Sequence, residues 1–236
     1  MAIIGAEDAA QLKDIFARQL TRDVTLVHYT QRESKIIVPG VVPCATCRDT
    51  RELLEELVGL SDRLHLEVHD FKAEAETAAQ RGIDKIPATV VRGEDGGERA
   101  RFFGVPAGYE FTTLLEDILE VGGAGSQLSA ASLKALEGLA GEVHVQVFVT
   151  PTCPYCPAAV RMGHMLALAS EKVTADMVMA TEFPQLSQRY GVMAVPKVVI
   201  NETRSFEGAV PEELFVEQVV NAAAGAEAPG GTLGDT

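Results

Sequence analysis

The sequence predicts an α/β protein made of two tandem copies of one unit, each a central mixed β-sheet flanked by helices. Two observations carry this. All four cysteines fall in two C-x-x-C pairs, Cys44/Cys47 and Cys153/Cys156, and Cys153 follows Cys44 by 109 residues. Pro196 follows Pro87, and Gly191 follows Gly82, by the same 109 residues, so RGIDKIPATVV matches YGVMAVPKVVI. Three anchors kept over such a distance mark a repeat.

The elements follow in the same order in both copies. A leading helix has apolar residues at helical spacing, Leu12, Ile15, Phe16 and Leu20 in the first and Leu133, Leu136 and Leu139 in the second. A β-rich run comes next, VTLVHYT or VHVQVFV, then the C-x-x-C and a helix, RDTRELLEELV or PAAVRMGHMLALA. A second strand, LHLEVHD or KVTADMVMA, leads to a short helix closing near Gly82 or Gly191. The proline opens a third strand, ATVV or KVVI, and a turn joins it to a fourth, RARFF or TRSFE, as an antiparallel hairpin. A closing helix, EFTTLLEDILEV or PEELFVEQVVNAA, completes the unit. Strands alternating with helices imply parallel pairs with helices on both faces.

The expected boundaries are 1–123 for the first unit, 124–223 for the second and 224–236 for a disordered Gly- and Pro-rich tail, with GGAGSQ from Gly122 as a flexible joint. The first strands align at an offset of 119 residues and the cysteines at 109, so the first unit carries ten extra residues within QRESKIIVPGVVP. Its Ile36, Ile37, Val38, Val41 and Val42 are too apolar to stay solvated. They are expected to form either a partial lid over Cys44 or a hydrophobic surface for one partner, the alternative being an insertion that packs away from Cys44 and changes nothing.

Composition narrows the function. The chain is 47% hydrophobic, and 34 Asp and Glu outweigh 20 Lys and Arg for a net charge of −14. Such a surface repels phosphate, which argues against nucleic acid and anionic membrane as partners. No apolar run approaches the roughly 20 residues of a membrane span. MAIIGAEDAAQLKD lacks a basic n-region, so the expected compartment is the cytoplasm, where C-x-x-C pairs serve redox chemistry or metal binding. GEDGGE reads as an acidic hairpin turn, not a phosphate loop, and the five histidines read as packed or surface imidazoles.

A cysteine at a helix N-terminus meets free N–H groups and the positive end of the dipole, which favour thiolate. That assigns Cys153 and Cys44 as attacking thiols and Cys156 and Cys47, about a turn later, as resolving thiols. Pro157 suits a first-turn position. The two prolines each lie 43 residues after the leading cysteine, which predicts that Ile86-Pro87 and Val195-Pro196 are both cis. A Cys₄ zinc site is the competing reading, but 106 residues separating Cys47 from Cys153 do not make a compact knuckle.

FVTPTCPYCPAAVRM, YGVMAVPKVVI and RFFGVPAGYEFTTLLEDIL resemble the two-unit, glutaredoxin-like protein disulfide oxidoreductases over almost the whole chain. The resemblance implies a thioredoxin fold in each unit and thiol–disulfide exchange on protein substrates, as oxidase, reductase or isomerase. It implies redox-active disulfides with no bound cofactor, reduced by a separate thioredoxin reductase. It also implies that Val195 and Ile86, beside Pro196 and Pro87, offer backbone hydrogen bonds to an extended substrate. Pro154-Tyr155 is the glutaredoxin dipeptide and joins that substrate-binding set. Thioredoxins place a buried acid six residues before the first cysteine; counting puts Val147 there, and Val38 in the first unit. Asp176 is a candidate acceptor, although an exposed strand-end acid is the expected reading.

Tandem thioredoxin-like units also open the alkyl hydroperoxide reductase flavoprotein. An electron carrier between a thioredoxin reductase and a peroxiredoxin is therefore the alternative function. A chaperone-like binding module or zinc-thiolate protein is the non-enzymatic one.

Overall fold

The computed structural model describes residues 3–31 and 43–225; the apolar insertion and the expected tail from 226 onward lie outside them. Helix α1 (Ala6–Gln19) buries Leu12 and Phe16 and leads to β1 (Val24–Thr30). Helix α2 (Cys47–Val58) follows, then β2 (Leu64–Asp70), the short α3 (Ala75–Gln80), β3 (Ala88–Arg92), β4 (Ala100–Phe103) and α4 (Glu110–Leu119). The second copy repeats them as α5 (Ala130–Glu137), β5 (Val143–Val149), α6 (Cys156–Ala169), β6 (Val173–Met179), α7 (Pro184–Arg189), β7 (Lys197–Ile200), β8 (Arg204–Glu207) and α8 (Glu212–Ala223).

Within each unit the first strand pairs parallel with the second and antiparallel with the third, which forms an antiparallel hairpin with the fourth. Helix α2 turns Leu53, Leu54 and Leu57 inward, the helical spacing read from sequence. Strands β1 and β5 are covered on both faces and are buried along nearly their whole length.

The two sheets are one. Strand β4 pairs parallel with β6, giving a single eight-stranded sheet in the order β2-β1-β3-β4-β6-β5-β7-β8. The seam explains a difference between equivalent strands. β6 is interior and buried almost throughout, while its counterpart β2 is an edge strand that alternates toward solvent.

Asp176, expected as an exposed strand-end acid, lies in this seam and is buried. Its Oδ1 accepts from Arg101 Nε of β4 at 2.6 Å, and its Oδ2 lies 2.6 Å from His144 Nε2. Burial alone would raise the carboxyl, but the Arg101 charge and the His144 hydrogen bond outweigh it and hold it at about 2. Removing Arg101 would strand that carboxylate, typically a cost of about 3–5 kcal/mol.

The segment expected as a flexible joint is docked. Residues 120–124 form a π-turn, and the Gly122 carbonyl accepts from the N–H groups of Thr21 at 2.8 Å and Arg22 at 3.0 Å. Gly122 itself is buried, because the joint closes over the end of α1. A second buried polar cluster ties α4 to α6: Arg161 pairs with Asp117 at 2.7 Å and with Glu120, and His164 Nδ1 meets Asp117.

Candidate active site

Each C-x-x-C straddles a helix start. In the second unit, α6 begins at Cys156 with Pro157 in its first turn, where the missing N–H leaves no helical bond unmade. Cys153 and Cys156 form a disulfide with Cα atoms 5.5 Å apart. In the first unit, α2 begins at Cys47, and Cys44 and Cys47 form a disulfide with the same Cα separation of 5.5 Å. In each pair the second cysteine is enclosed, Cys47 at 4% exposure and Cys156 at 0%. Cys44 is half-buried, and its N–H donates to Gln31 Oε1 at 2.9 Å.

Both X-Pro bonds, Ile86-Pro87 and Val195-Pro196, are cis, as their common distance from the cysteines predicts. Pro87 and Pro196 are buried, whereas Ile86 and Val195 are half-buried. The second unit brings the distant residues together: Cys153 Sγ lies 3.7 Å from the Val195 carbonyl oxygen. Around that sulfur the surface is apolar. Pro154 is exposed, Tyr155 is 71% exposed, and Met193, two residues before Val195, is 92% exposed. An unfolded or extended polypeptide could cover such a rim and place a disulfide over Cys153.

Sequence reasoning missed the contacts by which each unit reaches the other's cysteine loop. Thr46, inside the first C-x-x-C, donates its hydroxyl to Glu182 of the second unit. The other carboxylate oxygen of Glu182 accepts from the Val105 N–H at 2.8 Å. Residues 104–109, which join β4 to α4, also lie against the approach to Cys153. Gly108 there has a φ of 64°, and a Cβ on it would collide with the Pro151 carbonyl. No spacing in the sequence signals these contacts, because each joins loops of different copies.

Glu110, directly after that loop, is buried, with Oε1 unpartnered among the described residues and Oε2 accepting from Thr113 Oγ1 at 2.9 Å. Burial pushes its carboxyl up to about 7, against the Thr113 hydrogen bond and the His164 charge.

The strand registers also correct the expected place of the buried group beneath the first pair. Val147 stands opposite Met177 and Val198, and His28 stands opposite Val68 and Thr89. The counterpart of Val147 is therefore His28, not Val38. Ten residues inserted between strand and cysteines displaced the count, and Val38 lies outside the described residues. The offset of 119 between the first strands was the signal that could have found it.

No three His, Cys, Asp or Glu side chains among the described residues group as a metal site.

Residues 143–221 match the thioredoxin domain family. The whole chain is similar to the crystal structure of a protein disulfide oxidoreductase from Aeropyrum pernix K1, with 28% identity, a TM-score of 0.84 and 98% of each chain covered. Both units have the thioredoxin fold. The chain is also similar to a structure of the alkylhydroperoxide reductase AhpF from Enterococcus faecalis, with 26% identity, a TM-score of 0.80, and 91% of this chain and 98% of that one covered. Among curated proteins, the corresponding AhpF protein of Xanthomonas campestris pv. phaseoli is 28% identical over 74% of this chain and 31% of its own length. The chain thus spans about three tenths of the curated relatives that it matches. It has the fold of a thiol–disulfide oxidoreductase, with one C-x-x-C disulfide in each thioredoxin-fold unit.

Proposed function

We propose that this chain is a protein disulfide oxidoreductase whose units, 1–123 and 124–223, each exchange dithiol for disulfide on protein substrates. The observation that carries the reading is the apposition of Cys153 Sγ to the Val195 carbonyl, 3.7 Å away, beside the buried Pro196. An extended substrate chain laid along that backbone would present its own sulfur to Cys153.

For reduction, the Cys153 thiolate attacks a substrate disulfide, forming a mixed disulfide and expelling one substrate thiolate. Cys156 loses its proton and attacks Cys153 Sγ, which restores the Cys153–Cys156 disulfide and expels the second substrate thiolate. Two electrons pass from the protein pair to the substrate, and oxidation of a substrate dithiol runs the same steps backwards. The start of α6 stabilises the Cys153 thiolate. Val195 and Pro196, with Pro154 and Tyr155, hold the substrate. Cys44, Cys47, Ile86 and Pro87 take the corresponding parts in the first unit. The pairs work as the redox groups themselves, in the cytoplasm, recharged by a separate thioredoxin reductase.

Insulin reduction by dithiothreitol tests this. The wild-type protein accelerates precipitation of the insulin B chain, and a variant with all four cysteines replaced by serine does not. Equal rates for the two proteins would leave a chaperone-like binding module, and stoichiometric tetrathiolate zinc surviving dialysis would leave a zinc-thiolate protein.

A second reading is favoured by the likeness to AhpF: an electron carrier from thioredoxin reductase to a peroxiredoxin. Coupled NADPH oxidation with peroxide distinguishes it. A carrier turns over rapidly in that assay and reduces insulin poorly.

A further inference from the structure

A resolving thiol must lose its proton before it attacks, and a thiol that solvent barely reaches passes the proton most readily to a neighbouring base. Cys47 is such a thiol, and so is Cys156. On β5 the register position opposite Met177 and Val198 holds Val147, which has no titratable atom. The equivalent position on β1 holds His28, also fully buried, and the Cys47 backbone at the start of α2 is among the groups that act on its ring.

The imidazole is oriented. His28 Nδ1 lies 3.1 Å from the Ala88 carbonyl, directly after Pro87, and 3.2 Å from Thr89 Oγ1. A carbonyl oxygen only accepts, so Nδ1 carries the hydrogen and Nε2 keeps its lone pair. Nε2 is buried and has no hydrogen-bond partner among the described residues. The other backbone oxygen acting on the ring is the carbonyl of Cys47 itself. A buried polar atom without a partner is costly, and the groups that act on its ring include Cys47, Arg51 and Glu55, all of α2, the helix that the resolving thiol opens.

We propose that His28 Nε2 accepts the proton of the Cys47 thiol when the first unit resolves a mixed disulfide. The inference rests on the exchange reaction proposed above. In that step the S–H bond of Cys47 breaks and an N–H bond forms at Nε2. The Cys47 thiolate attacks Cys44 Sγ, the Cys44–Cys47 bond forms, and the substrate thiolate leaves with the electron pair of the broken S–S bond. The imidazolium then returns its proton to that thiolate or to water. Burial lowers the ring to about 4 in the disulfide form, so it is a neutral base throughout the physiological range. A thiolate formed beside it favours the protonated ring. The charged groups acting on the ring are Arg51 and Glu55 of α2: Arg51 disfavours that proton and Glu55 favours it.

The test uses a Cys153→Ser/Cys156→Ser protein, so that only the first unit reacts, and dithiobis-nitrobenzoate as the disulfide. One coloured thiolate is released when Cys44 attacks, and a second when Cys47 resolves; stopped-flow absorbance follows both from pH 6 to 9. His28→Asn keeps an amide donor toward Ala88 but no base at the Nε2 position. It should slow the second phase by about 100-fold at pH 7 and leave the first unchanged. Its second phase should then rise about tenfold per pH unit up to the thiol pKa near 8.5. His28→Val, which copies the second unit, should behave the same, with thermal midpoints confirming that both variants are folded. A second phase unchanged in rate and pH dependence in both folded variants overturns the proposal. So does equal slowing of both phases, the mark of a structural role. A parent protein that releases no coloured thiolate overturns the exchange reading instead.

Discussion

Around Cys153 the protein presents Tyr155 and Met193 to solvent, whereas the matching places around Cys44 hold Thr46 and Asp84. Thr46 is tied to Glu182, and Lys85, which replaces Ala194, sits 3.7 Å over the Phe103 ring beside Asp84. Among the described residues, one fold thus carries exposed apolar side chains by one cysteine pair and, at the matching places of the other, charged ones and a threonine fastened to the opposite unit. An apolar rim accepts many unfolded chains, because burial of apolar area is indifferent to sequence. A charged rim favours a partner of complementary charge. The first strands differ too, since one register position holds His28 on β1 and Val147 on β5. Duplication kept the scaffold while the residues around the two cysteine pairs diverged.

Silencing each pair separately is the most severe way to break this comparison. In insulin reduction, Cys153→Ser/Cys156→Ser should lose most of the activity and Cys44→Ser/Cys47→Ser little. Equal losses, or the reverse order, would show that the rims do not set substrate range. Trapping sharpens the result: Cys156→Ser should accumulate mixed disulfides on Cys153, because attack occurs and resolution cannot. Thiol mapping that found the partner on another cysteine would reverse the assignment.

The buried positions predict a pH effect of intermediate size. Folded His28 binds no proton above about 4, while the unfolded chain binds one below 6.5. Stability is therefore lost as pH falls from 6.5 toward 4, by roughly 3 kcal/mol in all. Glu110 acts in the opposite sense. It stays protonated to about 7 in the fold and ionises near 4.5 when unfolded, so its contribution is lost as pH rises through that range. Denaturant melts of the wild type and His28→Val at pH 4 and 7 isolate the first effect, because Glu110 is common to both. A difference between the proteins that does not change with pH would mean that His28 is not held neutral.

The smallest expected effect is at the rim. Met193→Asp, which gives the second unit the residue of the first, should raise KM for insulin by about tenfold, ~1.4 kcal/mol, with kcat little changed. An unchanged KM would remove Met193 from the docking surface.

Much of this protein was legible in its residues. Two C-x-x-C pairs, two prolines at one distance from them and two runs of alternating elements specify the repeat, its strands and helices, and both cis bonds. These are local or periodic signals, and a repeat states each of them twice. The polar assignments were less legible. Asp176 reads from sequence as an exposed strand-end acid, and only Arg101 on another strand makes it half of a buried ion pair. His28 escaped a count from the cysteines because the insertion broke the spacing.

By itself the sequence determined the repeat of elements and the pairing of its four cysteines, since apolar period and C-x-x-C spacing are properties of nearby residues. Only the tertiary structure decided that β4 meets β6 and makes one sheet of two. The all-buried ARFF and the apolar VTADMVM announce strands covered on both faces. Strand pairing itself, however, runs through main-chain N–H and C=O groups that every residue carries, so no side chain names the neighbour. That seam set Arg101 against Asp176, and across the same joint Glu182 reaches Thr46 and Gly108 meets Pro151.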